Sequence, residues 1–150
     1  MSRTWIRAAS VNNWLLDTSV YISLFREGKS PWSALEDPTR NIYLSSVVAQ
    51  ELYAGALDAF SIRALDRLVR SFQDMDRVLT PDRGDWIVCG KTLALIGKAH
   101  GFETVKRSRL VNDVLIALSA QRANATLVTA NQKDFDLIEE FIAFSHVPPA

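Results

Sequence analysis

The stretch Trp14 to Ile22 reads W-L-L-D-T-S-V-Y-I. An apolar run enters, a single carboxylate, Asp17, stops it, and Thr18 and Ser19 lead into a second apolar segment without glycine. That order predicts a short buried strand ending in an acid and followed at once by a helix. Two roles for Asp17 are open at this level. Its oxygen can cap the helix by accepting an orphan backbone N–H, or its carboxylate can serve a site at the end of the strand. Where the other carboxylates fall bears on the choice.

Downstream of Ile22 the helix runs out by Gly28, and Ser30, Pro31 and Asp37-Pro38 punctuate the chain around a short turn at Trp32 to Leu35. Asn41 to Ser45 gives a second strand, with Ser45 or Ser46 capping a helix over Val47 to Leu57. Within it Val47, Glu51 and Gly55 share a face beside Val48 and Leu52, so Glu51 rides the apolar stripe. A carboxylate placed there wants a partner or a cation. Ser61 to Phe72 is amphipathic: Ile62, Leu65, Leu68, Val69 and Phe72 form one stripe and Arg63, Arg67 and Arg70 another. The arginine stripe reads as a solvated face, with phosphate binding as the competing role. Val78 to Thr80 is a third strand, and Thr80-Pro81 offers a cap and first-turn proline for a long helix ending at His100-Gly101.

Gly90-Lys91-Thr92 imitates part of a phosphate-binding loop, but the first glycine of that motif would fall at Asp85 and the triplet lies inside a helical pattern. Nucleoside triphosphate binding is therefore rejected. Gly101 to Arg109 reads as a polar connection carrying Lys106, Arg107 and Arg109. It leads to a helix over Val111 to Gln121 with Asn112 and Asp113 in its first turn. Asn124 to Thr129 is the fourth strand, followed by Ala130-Asn131-Gln132-Lys133-Asp134-Phe135, a short element over Leu137 to Phe144, and a proline-rich tail. Strands alternating with helices, without hairpin signals, predict an α/β fold: one domain with a mostly parallel sheet flanked by helices on both faces.

The 150 residues suit one domain, and 48% hydrophobic with 23% charged residues is globular material. Seventeen basic residues balance seventeen acidic ones, so no whole-molecule field recruits polyanions and a nucleic-acid contact requires a local patch. The one cysteine, Cys89, excludes an internal disulfide and reads as a buried thiol without chemistry. Residues 1–13 read as an arm, with Trp5 and Ile6 able to pack on a domain over 14–150; they have no apolar core of a secretion signal. No run is long enough for a membrane span. The expectation is a cytoplasmic protein.

Asp17 closes strand one, Glu51 lies in the helix after strand two, Asp113 opens a helix, and Asp134 follows strand four. In a parallel sheet the strand C-termini share one edge with the helix N-termini that follow, and ligands bind there. Asp113 differs from the other three in that no strand precedes its helix. Four acids on one rim would repel, and a cation resolves the conflict. The ordinary roles, a helix N-terminal acid for Asp113 and a turn residue for Asp134, compete with this one. Oxygen ligands, with Thr18, Ser19, Asn112, Thr129 and Asn131 as polar support, indicate Mg²⁺ or Mn²⁺ and phosphodiester hydrolysis.

Four segments, L-L-D-T-S-V-Y-I (Leu15 to Ile22), S-S-V-V-A-Q-E-L-Y-A-G-A (Ser45 to Ala56), V-N-D-V-L-I-A-L-S-A (Val111 to Ala120) and T-L-V-T-A-N-Q-K-D-F (Thr126 to Phe135), together resemble a PIN domain of the VapC-type ribonuclease toxins. The resemblance implies that Asp17, Glu51, Asp113 and Asp134 form an acidic catalytic quartet, with Asp17 and Asp113 as metal ligands. Thr18 or Ser19 and Asn131 would tune it by hydrogen bonds. It further implies Mg²⁺-dependent endonucleolytic cleavage of RNA, a small antitoxin protein as inhibitor, and a homodimer. The arm before strand one departs from the family pattern. A haloacid-dehalogenase-like phosphatase needs a second acid where Ser19 stands. A receiver-like Mg²⁺-binding signalling module needs an acid ending strand three, where Leu79-Thr80 stands. The receiver module and a non-catalytic PIN-like scaffold binding RNA or protein are the alternatives.

Overall fold

A computed structural model describes residues 12–29, 37–108 and 110–149, without the side chains of residues 106–108. The expected arm over residues 1–11, the turn at Trp32 to Leu35 and Arg109 lie outside the described residues. Five strands form one sheet in the order β3-β2-β1-β4-β5, and every pairing is parallel. They are β1 (Asn12–Leu16), β2 (Arg40–Ser45), β3 (Val78–Leu79), β4 (Thr126–Val128) and β5 (Ser145–Val147). Among the described residues seven helices flank this sheet: α1 (Thr18–Arg26), α2 (Ser46–Gly55), α3 (Ala59–Asp74), α4 (Arg83–His100), α5 (Phe102–Ser108), α6 (Leu110–Arg122) and α7 (Gln132–Glu139).

The strands are short, and adjacent residues toward the C-terminal ends of β1, β2 and β4 are both buried because both faces of the sheet are covered. Neighbours on a strand point to opposite faces. Leu15 and Leu16, Leu44 and Ser45, and Leu127 and Val128 are nevertheless all buried. Helix α6 is the most deeply set, with every residue from Val114 to Ala120 buried. In a parallel sheet closed on both sides such runs replace the apolar–polar alternation of a half-wet sheet.

The strand order fixes where a ligand would sit. From β1 the chain moves outward to β2 and β3, then crosses back to lay β4 and β5 on the other side of β1. The switch point is thus the gap between β1 and β4 at their C-terminal ends, and open α/β sheets bind ligands at such a crevice. Asp17 N–H donates to the Val128 carbonyl across that gap at 2.9 Å.

Several boundaries differ from those the sequence suggests. β1 begins at Asn12, and the Asn13 side-chain amide donates to the Ala123 carbonyl at 2.8 Å, so Asn12 and Asn13 belong to the sheet. Helix α4 is capped by Asp82 instead of Thr80: Asp82 and Asp85 form a reciprocal capping box at 2.8 and 3.0 Å, and Arg122 pairs with both. The polar connection after Gly101 is helical, as α5. Gly101 takes a positive φ of 93°, which ends α4 and lets α5 start immediately. The segment after Leu137 divides into the end of α7 and, beyond Phe144, the edge strand β5, where a tail was expected. Gly90, Lys91 and Thr92 lie inside α4, and Cys89 is buried.

Candidate active site

Asp17 occupies the N-cap position of α1, yet its side chain makes no capping hydrogen bond. The backbone carbonyl does that work, accepting from Val20 N–H at 3.0 Å. The carboxylate is only 6% exposed. Its Oδ2 accepts from Thr129 Oγ1 at 2.7 Å and Ser19 Oγ at 3.2 Å. Oδ1 has no protein donor among the described residues. The capping role for the side chain is thereby removed, and one oxygen is left as a possible ligand atom.

The same arrangement recurs at two other acids. Glu51, half-buried on α2, accepts through Oε1 from Thr18 Oγ1 at 2.7 Å. Asp134, in the first turn of α7, accepts through Oδ2 from Asn131 Nδ2 at 3.0 Å. Each of the three carboxylates is thus held on one oxygen by a neutral donor. Among the described residues the ion pairs involve none of the four acids.

Asp113 shows that they converge. It lies half-buried in the first turn of α6, and its carboxyl is pushed up to about 8. Burial is the largest cause, followed by the negative charges of Asp17, Asp134 and Glu51 in that order. Asp17 and Asp113 stand 96 positions apart, and the four acids belong to four separate helices or their caps, so they would not feel one another unless the fold gathered them.

 The sheet edge closes that distance, because β1, β2 and β4 all end there and α6 starts beside them.

The donor set suits a hard divalent cation. It consists of carboxylate oxygens, three of the groups steered by hydroxyl or amide donors, around an acid whose carboxyl is pushed up by burial and by its negative neighbours. Such a group wants a positive charge, and oxygen ligands favour Mg²⁺ or Mn²⁺ over zinc. Of the expected supporting residues, Thr18, Ser19, Thr129 and Asn131 contact the acids directly or link to them. Asn112 is half-buried beside Asp113, with no side-chain hydrogen bond among the described residues. Arg63, Arg67 and Arg70 are exposed on α3. Lys106 and Arg107 lie on α5, their side chains outside the described residues.

Two residues went unnoticed in the sequence. Gln132 Nε2 donates to the Thr129 carbonyl at 2.6 Å, and Gln132 Oε1 meets His146 Nδ1 at 2.9 Å. The only sequence signal is Gln132 standing three places after Thr129. His146 also joins Asp136 and Glu139 in a second cluster whose ligand atoms lie within 4.8 Å of one another.

A parallel α/β domain with carboxylates gathered at its switch point defines the class: an α/β domain with an acidic site at its sheet edge. The PIN domain family model matches residues 14–140, and the chain belongs to that family. PIN domains are typically nucleases and generally use divalent metals, which sets the class of activity. The strand order also differs from the 2-1-3-4-5 order of flavodoxin-like receivers, so the receiver-like alternative falls. No curated protein matches by sequence. Among solved structures, DNA-bound VapBC from Salmonella typhimurium is similar at 21% identity and a TM-score of 0.61, covering 92% of this chain and 98% of that one. FitAcB from Neisseria gonorrhoeae is similar at 24% identity and a TM-score of 0.59, covering 89% and 95%. VapBC-1 from nontypeable Haemophilus influenzae is similar at 24% identity and 0.54, covering 91% and 97%. At these identities the likeness concerns the fold.

Proposed function

We propose that the protein is a divalent-metal-dependent endoribonuclease that hydrolyses RNA phosphodiester bonds, with Mg²⁺ as its ion and Mn²⁺ as a substitute. The observation that carries the reading is the gathering of Asp17, Glu51, Asp113 and Asp134 at the C-terminal edge of the sheet, close enough that, after burial, the charges of the other three push the Asp113 carboxyl up. Asp17 and Asp113 would hold the ion, and Glu51 and Asp134 would complete the quartet. A bound divalent ion supplies Lewis-acid activation of water and stabilisation of the leaving oxygen. The chain's own part is orientation: Thr129 and Ser19 fix Asp17, Thr18 fixes Glu51, and Asn131 fixes Asp134. Exposed Arg63, Arg67 and Arg70, with Lys106, Arg107 and Arg109, are the candidate phosphate contacts on a chain without net charge.

The same reading makes the protein the toxin of a toxin–antitoxin pair. Its support is the fold shared with VapBC and FitAcB, and an apolar groove of about 440 Å³ beside Glu51. Ile22, Phe25, Leu52, Phe60 and Leu65 are among its lining residues, and Phe60 is 72% exposed. An apolar segment of an antitoxin laid there would end next to the acids. Helix α4 leaves Trp86, Ile87, Val88 and Leu95 exposed, a surface suited to a homodimer. Purified protein freed of any partner should cleave total RNA with Mg²⁺, and chelator should stop it. Asp17→Asn should remove cleavage while the fold survives. RNA left intact by folded wild type with Mg²⁺ would refute the proposal in favour of a non-catalytic scaffold.

A further inference from the structure

The Thr129 to Asn131 turn supplies three contacts at the acidic edge. Thr129 Oγ1 donates to Asp17, Ala130 N–H donates to Ser19 Oγ at 3.2 Å, and Asn131 Nδ2 donates to Asp134. Asn131 N–H also donates to Thr129 Oγ1 at 3.0 Å, so the hydroxyl's orientation depends on the turn's backbone. That backbone is gripped from behind by Gln132, whose amide nitrogen reaches the Thr129 carbonyl at 2.6 Å. With the nitrogen so engaged, the Gln132 amide oxygen must face His146, and His146 Nδ1 must be the donor. On the other side of the ring Nε2 lies 3.0 Å from Asp136 Oδ1 and 3.0 Å from Glu139 Oε2. The ring is set: its side chain is 4% exposed and packs against Phe135 and Phe144.

We propose that Gln132 and His146 are positioning residues of the acidic site, acting through the Thr129 carbonyl to hold the turn that orients Asp17 and Asp134. Neither touches the four acids. The chain of contacts runs from Asp136 and Glu139 through His146, Gln132 and Thr129 to Asp17. Its role toward the ion rests on the metal-dependent reading above. Asp136 and Glu139 flank Nε2, the ring nitrogen that faces away from Gln132.

The test is Mn²⁺ binding, followed by electron paramagnetic resonance on the full chain, in wild type, Gln132→Ala, Gln132→Glu, His146→Phe and His146→Asn. Outer partners of metal ligands contribute about 10- to 100-fold in affinity. Gln132→Ala, Gln132→Glu and His146→Phe should therefore each weaken Mn²⁺ binding by about tenfold or more at an unchanged melting temperature. His146→Asn, which can return a donor near the former Nδ1, should restore most of the affinity. In the metal-free protein, amide exchange at Ala130 and Asn131 should speed up in the same three variants and recover in His146→Asn. Folded variants that bind Mn²⁺ as wild type does, or a His146→Asn as weak as His146→Phe, would overturn the inference. Wild type that binds no Mn²⁺ would instead overturn the metal-dependent reading, and the exchange rates alone would then decide the clamp.

Discussion

Replacing Asp113 by asparagine should make the metal-free protein more stable at neutral pH while removing its activity. In the denatured chain this carboxyl ionises near 3.8, whereas in the fold it is pushed up to about 8. Between those values the folded state binds the extra proton, so the contribution of Asp113 to stability falls as pH rises and is fully lost above the folded value. Each unit of that window is about 1.4 kcal/mol, so the ceiling at pH 7 is about 4 kcal/mol. Relaxation and water entry into the half-buried site lower it, and a gain of about 1 to 3 kcal/mol for Asp113→Asn is expected at pH 7 to 8. Urea denaturation in chelator at several pH values reads this directly. The gain should grow from pH 4 to 8, and Mg²⁺ should stabilise wild type more than the variant. A variant less stable than wild type at pH 8 in chelator, or a difference flat with pH, would refute the raised carboxyl of Asp113 and the burial and acidic surroundings that cause it.

Thr129→Val removes the donor at 2.7 Å from a buried carboxylate; it should weaken Mg²⁺ binding by about tenfold or more, read by calorimetry. Tyr21→Phe should raise stability by about 1 kcal/mol in denaturant titration, because the Tyr21 hydroxyl is buried without a hydrogen-bond partner among the described residues. Asp82→Ala removes the α4 capping box and a partner of Arg122, and should lower stability by about 1 kcal/mol, seen as a lower melting temperature.

The sheet was legible because its strands are the apolar runs that a doubly covered parallel sheet demands, and each of the first four ends in a polar residue and a helix start. The acids could be placed for the same reason: Asp17, Glu51 and Asp134 follow strand ends by a fixed logic. Asp113 follows no strand, and only the packing of α6 brings it to the edge. β5 was hidden because three residues before two prolines carry no period, and its pairing is decided by β4. Helix α5 is only seven residues long and charged, with no apolar stripe to announce it. The contacts of Gln132 and His146 join positions 14 residues apart through an edge strand, and nothing in local pattern reports such a contact.

Diffraction from crystals soaked in Mn²⁺, with the anomalous signal located, tests the central claim most directly. The account predicts a peak within direct coordination distance, about 2 Å, of carboxylate oxygens of Asp17 and Asp113. A peak confined to Asp136, Glu139 and His146, or none in crystals of folded protein at saturating Mn²⁺, would contradict it.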